Sequence, residues 1–98
     1  MKLNHSLNKI PRIKLANIPT PLDEVNRLAK KIGLSKLFIK RDDLTGLAGG
    51  GNKARKLEYD FAEIINGSYD VVITAGGIQS NHARMTAAAA RKLGLDIK

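Results

Sequence analysis

Residues 39–58 read IKRDDLTGLAGGGNKARKLE and form the most distinctive pattern in the chain. The alternating charged and apolar residues of Lys36–Lys40 predict a short β-strand. Three glycines, residues 49–51, then lead into an apolar periodicity that predicts a helix from about Lys53 to Ile65. Glycines allow a ligand to approach the backbone closely, and a helix start offers unpaired N–H groups. The stretch therefore suggests a ligand-binding loop, although GGGNK taken alone is better explained as a flexible loop with a solvated lysine.

The segment before this stretch predicts one helix. Residues 1–19 show no firm periodicity and predict an irregular or short extended lead-in. Thr20 is suited to cap a helix that has Pro21 in its first position. The helix is expected to end at Ile32, because Gly33 follows it.

The segment after the glycine loop continues an α/β alternation. Residues 70–75 are rich in β-branched residues and predict a strand buried on both faces. A helix is predicted from its cap at Ser80 to Leu93, and residues 95–98 begin another strand. This order of strands and helices predicts a parallel sheet with flanking helices. Since the last strand is barely started, we expect the 98 residues to be an incomplete piece of a larger fold.

Composition limits the function classes. The chain has no cysteine and only two histidines, which lie far apart, so a metal site is not expected. No apolar run approaches the roughly 20 residues of a membrane span, no secretory signal is recognisable, and a cytoplasmic protein is expected. The net charge is +8, and 13 of the 17 lysines and arginines lie in residues 1–58. Because these bases are dispersed and few aromatic residues accompany them, they predict a solvated or docking face and not a nucleic-acid site.

Lys53 is the residue whose position most needs a chemical reason. A positive charge in the first turn of a helix opposes the helix dipole, typically by about 0.3 to 1 kcal/mol. The pattern fails the phosphate-loop motif, because Asn52 stands where lysine is required, and its glycines follow the strand too late for a dinucleotide motif. Imine formation requires a neutral lysine, which a helix start and the neighbouring cations Arg55 and Lys56 favour. Lys56 either reaches an anionic group of the ligand or is a solvated surface base.

A second candidate loop, GGIQSNH, covers residues 76–82 at the carboxyl end of a predicted strand. Open α/β sheets bind ligands at such strand ends, so both loops are expected to open on one side. Ser80 and Asn81, at a helix start, are suited to hold a carboxylate. Taken alone, Ser80 is better explained as a helix cap and His82 as a surface residue, and the ligand-binding interpretation requires the two loops to act together.

Together, residues 39–58 and the TAGGIQSNHAR of residues 74–84 resemble the D-cysteine desulfhydrase and 1-aminocyclopropane-1-carboxylate deaminase family. The segment IPTPLDEVNRLAKKIG, residues 18–33, also matches, so the resemblance covers about 80 residues. It implies part of a two-domain, fold type II (tryptophan-synthase-β-like) enzyme that uses pyridoxal 5'-phosphate. Residues 1–54 would belong to the large cofactor domain, and residues 55–98 would begin the small α/β domain.

The resemblance also assigns roles. Lys53 would form the imine with pyridoxal phosphate and later act as the base, and Asn81 would contact the hydroxyl group of the cofactor ring. Lys56 is a candidate for the cofactor phosphate. Ser80, Asn81 and His82 would hold the substrate carboxylate, and Ser80 would assist proton transfer. The phosphate-binding loop and the partner of the pyridine nitrogen would come from later sequence, so the chain alone is expected to be inactive.

The implied reaction is the elimination of sulfide from D-cysteine, which gives pyruvate and ammonia. His82 favours this over the alternative, in which a deaminase opens 1-aminocyclopropane-1-carboxylate to 2-oxobutyrate and ammonia. The resemblance further implies a small amino-acid substrate and a homodimeric full-length enzyme. A competing interpretation from another class is a non-catalytic remnant or binding module that uses the basic face for an acidic partner.

Overall fold

The computed structural model describes residues 2–98, and Met1 lies outside the described residues. Within this described range, four short strands and four helices follow one another, with two 3₁₀ turns, Asp42–Leu44 and Leu47–Gly49, between the second strand and the third helix. In chain order the elements are α1 (Lys2–Leu7), β1 (Leu22–Glu24), α2 (Asn26–Lys31), β2 (Phe38–Lys40), α3 (Lys53–Asn66), β3 (Val71–Val72), α4 (Asn81–Lys92) and β4 (Asp96–Ile97).

The core lies between α3 and α4. Both helices are amphipathic, and the sequence places large apolar residues of α3 opposite small alanines of α4, which lets the two helices pack closely. The lead-in segment and the second 3₁₀ turn close the core from outside. Its buried residues are Leu15, Ala16, Leu47, Ala54, Leu57, Phe61, Met85, Ala89, Ala90 and Leu95.

The second half of the chain largely follows the sequence prediction. Helix α3 spans Lys53–Asn66, and α4 begins after Ser80, whose hydroxyl accepts a hydrogen bond from the Ala83 N–H at 3.1 Å. Strands β3 and β4 pair in parallel, with Val71 opposite Asp96. The expectation of a strand buried on both faces is wrong, because Val71 and Ile73 are 40% and 77% exposed.

The first half departs from the sequence prediction. The predicted helix from Thr20 to Ile32 is wrong at its start, since Leu22–Glu24 is a strand and α2 covers only Asn26–Lys31. Strand β1 pairs antiparallel with β2, in the register Leu22 opposite Lys40. This pair is separate from the β3–β4 sheet, so a single parallel sheet containing all the predicted strands is also wrong. The lead-in, predicted to be irregular, contains α1.

The reason for the misplaced helix start is a set of long-range contacts. The Pro21 carbonyl accepts a hydrogen bond from the Arg41 N–H at 2.9 Å, and the Thr20 carbonyl accepts one from Lys40 Nζ at 2.6 Å. Arg41 also forms an ion pair with Asp23 at 2.8 Å. These partners lie about 20 residues away in sequence, and they outweigh a local capping preference that amounts to about 1 kcal/mol.

Among the helices of residues 2–98, none combines the length and the apolar character that a membrane crossing requires.

Candidate functional site

The glycine loop, residues 46–52, is held closed by the buried side chain of Thr45. Its hydroxyl donates to the Gly51 carbonyl at 2.7 Å and accepts from the Gly51 N–H at 2.9 Å. Gly50 has a φ of +90°, and a Cβ added there would lie 2.1 Å from the Asp43 carbonyl oxygen. Only glycine tolerates both conditions. The path of the loop is therefore set two residues before Lys53.

Replacing Thr45 with valine is expected to destabilise the protein by about 1–3 kcal/mol, because both backbone groups of Gly51 lose their partner. Thr45→Ser, which keeps the hydroxyl and removes only a methyl group, is the matched control. Urea denaturation of the three proteins measures the difference. If the valine variant proved as stable as the serine variant, the hydroxyl would not be what closes the loop.

A polar network of Arg55, Asp42 and Thr20 anchors the first turn of α3, which follows the glycine loop. Arg55 binds Asp42 through two bonds, Nε to Oδ2 at 2.7 Å and Nη2 to Oδ1 at 2.9 Å. Thr20 donates to Asp42 at 2.8 Å and accepts from Arg55 at 2.8 Å, so its hydroxyl serves this network and caps no helix. The hydrogen bonds from Arg55 and then Thr20 outweigh partial burial and lower the pKa of Asp42 to about 2.

Lys53 is the first residue of α3 and is half-buried. The other two cations of this helix have carboxylate partners, Asp42 for Arg55 and Asp60 for Lys56, and therefore do not stand as unpaired charges beside Lys53 as the sequence suggested. Among the side chains that the structure describes, those of residues 5–98, the Lys53 amine has neither a hydrogen-bond nor an ion-pair partner. Lys53 is thus the cation of α3 whose amine remains available for a ligand.

The second loop presents its side chains at the start of α4. Ser80 caps the helix, and a Cβ added at Gly76 would lie 2.6 Å from Ser80 Oγ, so the loop folds tightly over the serine. The Asn81 amide oxygen accepts a hydrogen bond from Arg84 at 3.1 Å. The backbone carbonyl of His82 accepts a hydrogen bond from the Thr86 hydroxyl at 2.7 Å. This bond does not involve the His82 imidazole, which is half-buried.

Helix α4 joins the two loops. Arg84 donates from Nη2 to the Gly50 carbonyl at 3.0 Å, and the buried Met85 packs on Gly51, where an added Cβ would lie 3.1 Å from its sulfur. The start of α4, which presents Asn81, is therefore docked on the loop that precedes Lys53. The two loops are thus neighbours in the fold, and that they serve one ligand stays a prediction.

Two of the predicted site residues share a small cavity. Lys56 and His82 line a space of about 150 Å³ together with Thr74, and neither Lys53 nor Ser80 contributes to its wall. Lys56 donates to Asp60 at 2.6 Å, and both side chains are largely exposed, so the pair contributes at most about 1 kcal/mol. Lys56 can exchange this partner for another anion at little cost.

A cavity of about 560 Å³ on another part of the surface, between Tyr59 and Tyr69, contains none of the predicted site residues.

The structure adds three residues that the sequence did not single out: Thr45, Asp42 and Arg84. Each acts through a contact with a residue far along the chain or through the backbone of a glycine. Asp42 lies in the quoted pattern, but nothing local distinguishes it from Asp43, whose carboxylate pairs with Arg41. No sequence signal marks Thr45 or Arg84.

These residues fit pyridoxal phosphate as a ligand. An unpartnered amine at Lys53 is what covalent attachment to an aldehyde requires, and the Asn81 amide nitrogen points a donor away from Arg84. Among residues 2–98, no group of three or more His, Asp or Glu side chains is arranged to hold a metal ion.

Comparisons with known proteins identify the family of this chain. The family model "Pyridoxal-phosphate dependent enzyme" matches residues 13–98. The chain is 52% identical over 91 residues to the D-cysteine desulfhydrases of Salmonella paratyphi B and Salmonella newport, covering 93% of this chain and 27% of each relative. A crystal structure described as an ACC deaminase homologue superposes with a TM-score of 0.89 and 48% identity, over 98% of this chain and 29% of that one.

The chain thus spans between a quarter and a third of the length of these relatives. The family model is defined by dependence on pyridoxal phosphate, and the region that it matches includes both loops and every residue of the site described above. The chain belongs to the family of pyridoxal-phosphate dependent enzymes.

Proposed function

We propose that the full-length protein that carries this chain is a D-cysteine desulfhydrase, which converts D-cysteine and water to pyruvate, sulfide and ammonia. The observation that carries the proposal is Lys53, a half-buried amine at the N-terminus of α3 that has no partner among the described side chains, whereas the next two cations of the helix are paired. The 52% identity to named D-cysteine desulfhydrases supports the choice of substrate.

The side chains take the following roles in this proposal. Lys53 holds the cofactor through its Nζ and, once released by substrate, removes the proton from the α-carbon. The Asn81 amide donates to the ring hydroxyl, and Lys56 is available to the phosphate. Ser80, Asn81 and His82 hold the substrate carboxylate, with Ser80 also placed to assist proton transfer. When bound, the cofactor supplies the electron sink that allows the α-proton to leave.

The chain is also proposed to contribute to two domains, with residues 1–54 in the large cofactor domain and residues 55–98 at the start of the small one. We propose a homodimeric, cytoplasmic enzyme whose activity needs more than these 98 residues. The support for this last point is the relatives' length, of which the chain covers 27%.

A second candidate is 1-aminocyclopropane-1-carboxylate deaminase, which opens the ring of its substrate with water to give 2-oxobutyrate and ammonia. The observation that favours it is the superposition on a structure described as an ACC deaminase homologue. The two reactions start alike, with a small amino acid held by its carboxylate, and they differ in the bond that breaks at the β-carbon.

The test is a parallel assay of the full-length protein, loaded with pyridoxal phosphate, on D-cysteine, L-cysteine and 1-aminocyclopropane-1-carboxylate. Sulfide and pyruvate are expected from D-cysteine, at a rate at least about tenfold above that from L-cysteine. Formation of 2-oxobutyrate from the cyclopropane substrate, with no sulfide from cysteine, would select the deaminase. Turnover of none of the three by a folded, cofactor-bound protein would contradict both candidates.

A further inference from the structure

We propose that Arg84 is a positioning residue that ties the Asn81 amide to the loop before Lys53. The inference rests on the proposed function, because it assigns a purpose to the orientation of Asn81. Arg84 lies within the first four residues of α4, where a positive charge opposes the helix dipole. It has no carboxylate partner among the described side chains of residues 5–98, so an ion pair does not explain its position.

The first contact of Arg84 decides which way the Asn81 amide faces. A guanidinium group only donates hydrogen bonds, so the bond of 3.1 Å from Nη1 requires the amide oxygen of Asn81 on that side. The amide nitrogen then points away from Arg84 with two donors. Without Arg84 the amide can turn over and present its oxygen instead. Arg84 therefore makes Asn81 present its NH₂ group, a hydrogen-bond donor, to an acceptor such as the ring oxygen of the cofactor.

The second contact couples this choice to the lysine. From the same guanidinium group, Nη2 donates to the Gly50 carbonyl at 3.0 Å, three residues before Lys53. Gly50 sits in a backbone conformation that only glycine tolerates, and Gly51 is held by Thr45. The planar fork of an arginine fixes two acceptors relative to one another better than a lysine could. Arg84 thus sets the distance between the Asn81 donor and the start of α3.

The chain contains a matched control. Arg91 lies in the last turn of the same helix and also donates to a carbonyl and to a side-chain oxygen, those of Leu95 and Asp96. Arg91→Met removes a comparable pair of bonds far from both loops. Arg84→Met removes the coupling, and Arg84→Lys keeps the charge but offers no planar fork.

Two measurements on the full-length protein test the proposal. Without cofactor, hydrogen exchange of the peptide covering residues 46–53 is expected to be about tenfold faster in Arg84→Met than in Arg91→Met. With cofactor, Arg84→Met is expected to raise the Kd for pyridoxal phosphate about tenfold. The absorbance of the bound cofactor should also titrate at a shifted pH, since the donor to its ring oxygen is no longer oriented. Arg84→Lys is expected to restore part of each effect.

The outcomes separate this proposal from the proposed function. Equal loop exchange in the two methionine variants would overturn the coupling, whether or not the protein binds cofactor. Faster exchange in Arg84→Met with an unchanged Kd and pH titration would overturn the role toward Asn81. A wild-type protein that does not bind pyridoxal phosphate at all would contradict the proposed function, and the exchange measurement would still decide whether Arg84 holds the loop.

Discussion

Replacing Lys53 with alanine is expected to abolish covalent attachment of pyridoxal phosphate and to lower turnover of D-cysteine by roughly 10³-fold or more. The physical reason is that no other amine at the loop is placed to substitute. Arg55 is held by two hydrogen bonds to Asp42, and a guanidinium group does not form imines. Lys56 lies three residues further along the helix and is paired with Asp60. It lines a small cavity to which Lys53 does not contribute.

The measurement is reduction of the cofactor-loaded full-length protein with borohydride, followed by peptide mass analysis. Wild type is expected to carry the reduced cofactor on Lys53, and Lys53→Ala is expected to carry none. Lys56→Ala is the control, since it removes an amine from the same helix and should keep the label on Lys53. A label that persists in Lys53→Ala, or one found on Lys56 in wild type, would show that the assignment of the attachment site is wrong.

Replacing Glu58 with glutamine is expected to cost about 2–3 kcal/mol of unfolding free energy at pH 7. This is less than the roughly 3–5 kcal/mol for breaking a fully buried ion pair, because Arg12 is partly exposed. Glu58 is 1% exposed. It accepts hydrogen bonds from the Leu15 and Ala16 N–H groups at 2.7 and 2.9 Å, and from Arg12 at 2.6 Å. Glutamine replaces one of the two accepting carboxylate oxygens with an NH₂ group. This group would face at least one of these hydrogen-bond donors and could not accept from it.

The pH dependence of this effect is specific. Burial raises the pKa of Glu58, but the Ala16 and Leu15 N–H groups and the Arg12 guanidinium together outweigh it, so the pKa lies below the ordinary value of 4.5. The contribution of the carboxylate is therefore complete above about pH 4.5 and is lost as the pH falls through the lowered pKa of the folded state. The difference between wild type and Glu58→Gln should shrink in acid.

Urea denaturation from pH 7 down to pH 3 measures both predictions. Glu63→Gln is the matched control, because Glu63 is exposed on the same helix and should change stability by less than about 0.5 kcal/mol. A Glu58→Gln variant as stable as the control at pH 7 would contradict the first prediction. A difference that stayed constant to pH 3 would contradict the second.

Local sequence rules predicted the elements whose signals are local. Helix α4 begins after its serine cap, and α3 ends at Asn66, one residue beyond the predicted end, because capping and periodicity depend on residues within a few positions of each other. The parallel pairing of β3 with β4 followed from a helix connecting two apolar segments. The same reasoning failed at residues 20–24, where partners at positions 38–41 formed a strand pair instead.

The sequence by itself determined the family, the two loops and the residues suited to hold a cofactor, because glycine, lysine and asparagine carry that chemistry in their own structures. Only the tertiary structure decided which of these groups are available. It paired Arg55 with Asp42, left Lys53 without a partner among the described side chains, closed the first loop through Thr45 and joined the two loops through Arg84. Hydrogen bonds between residues 6 to 35 positions apart depend on the folded path of the chain, which no local pattern encodes.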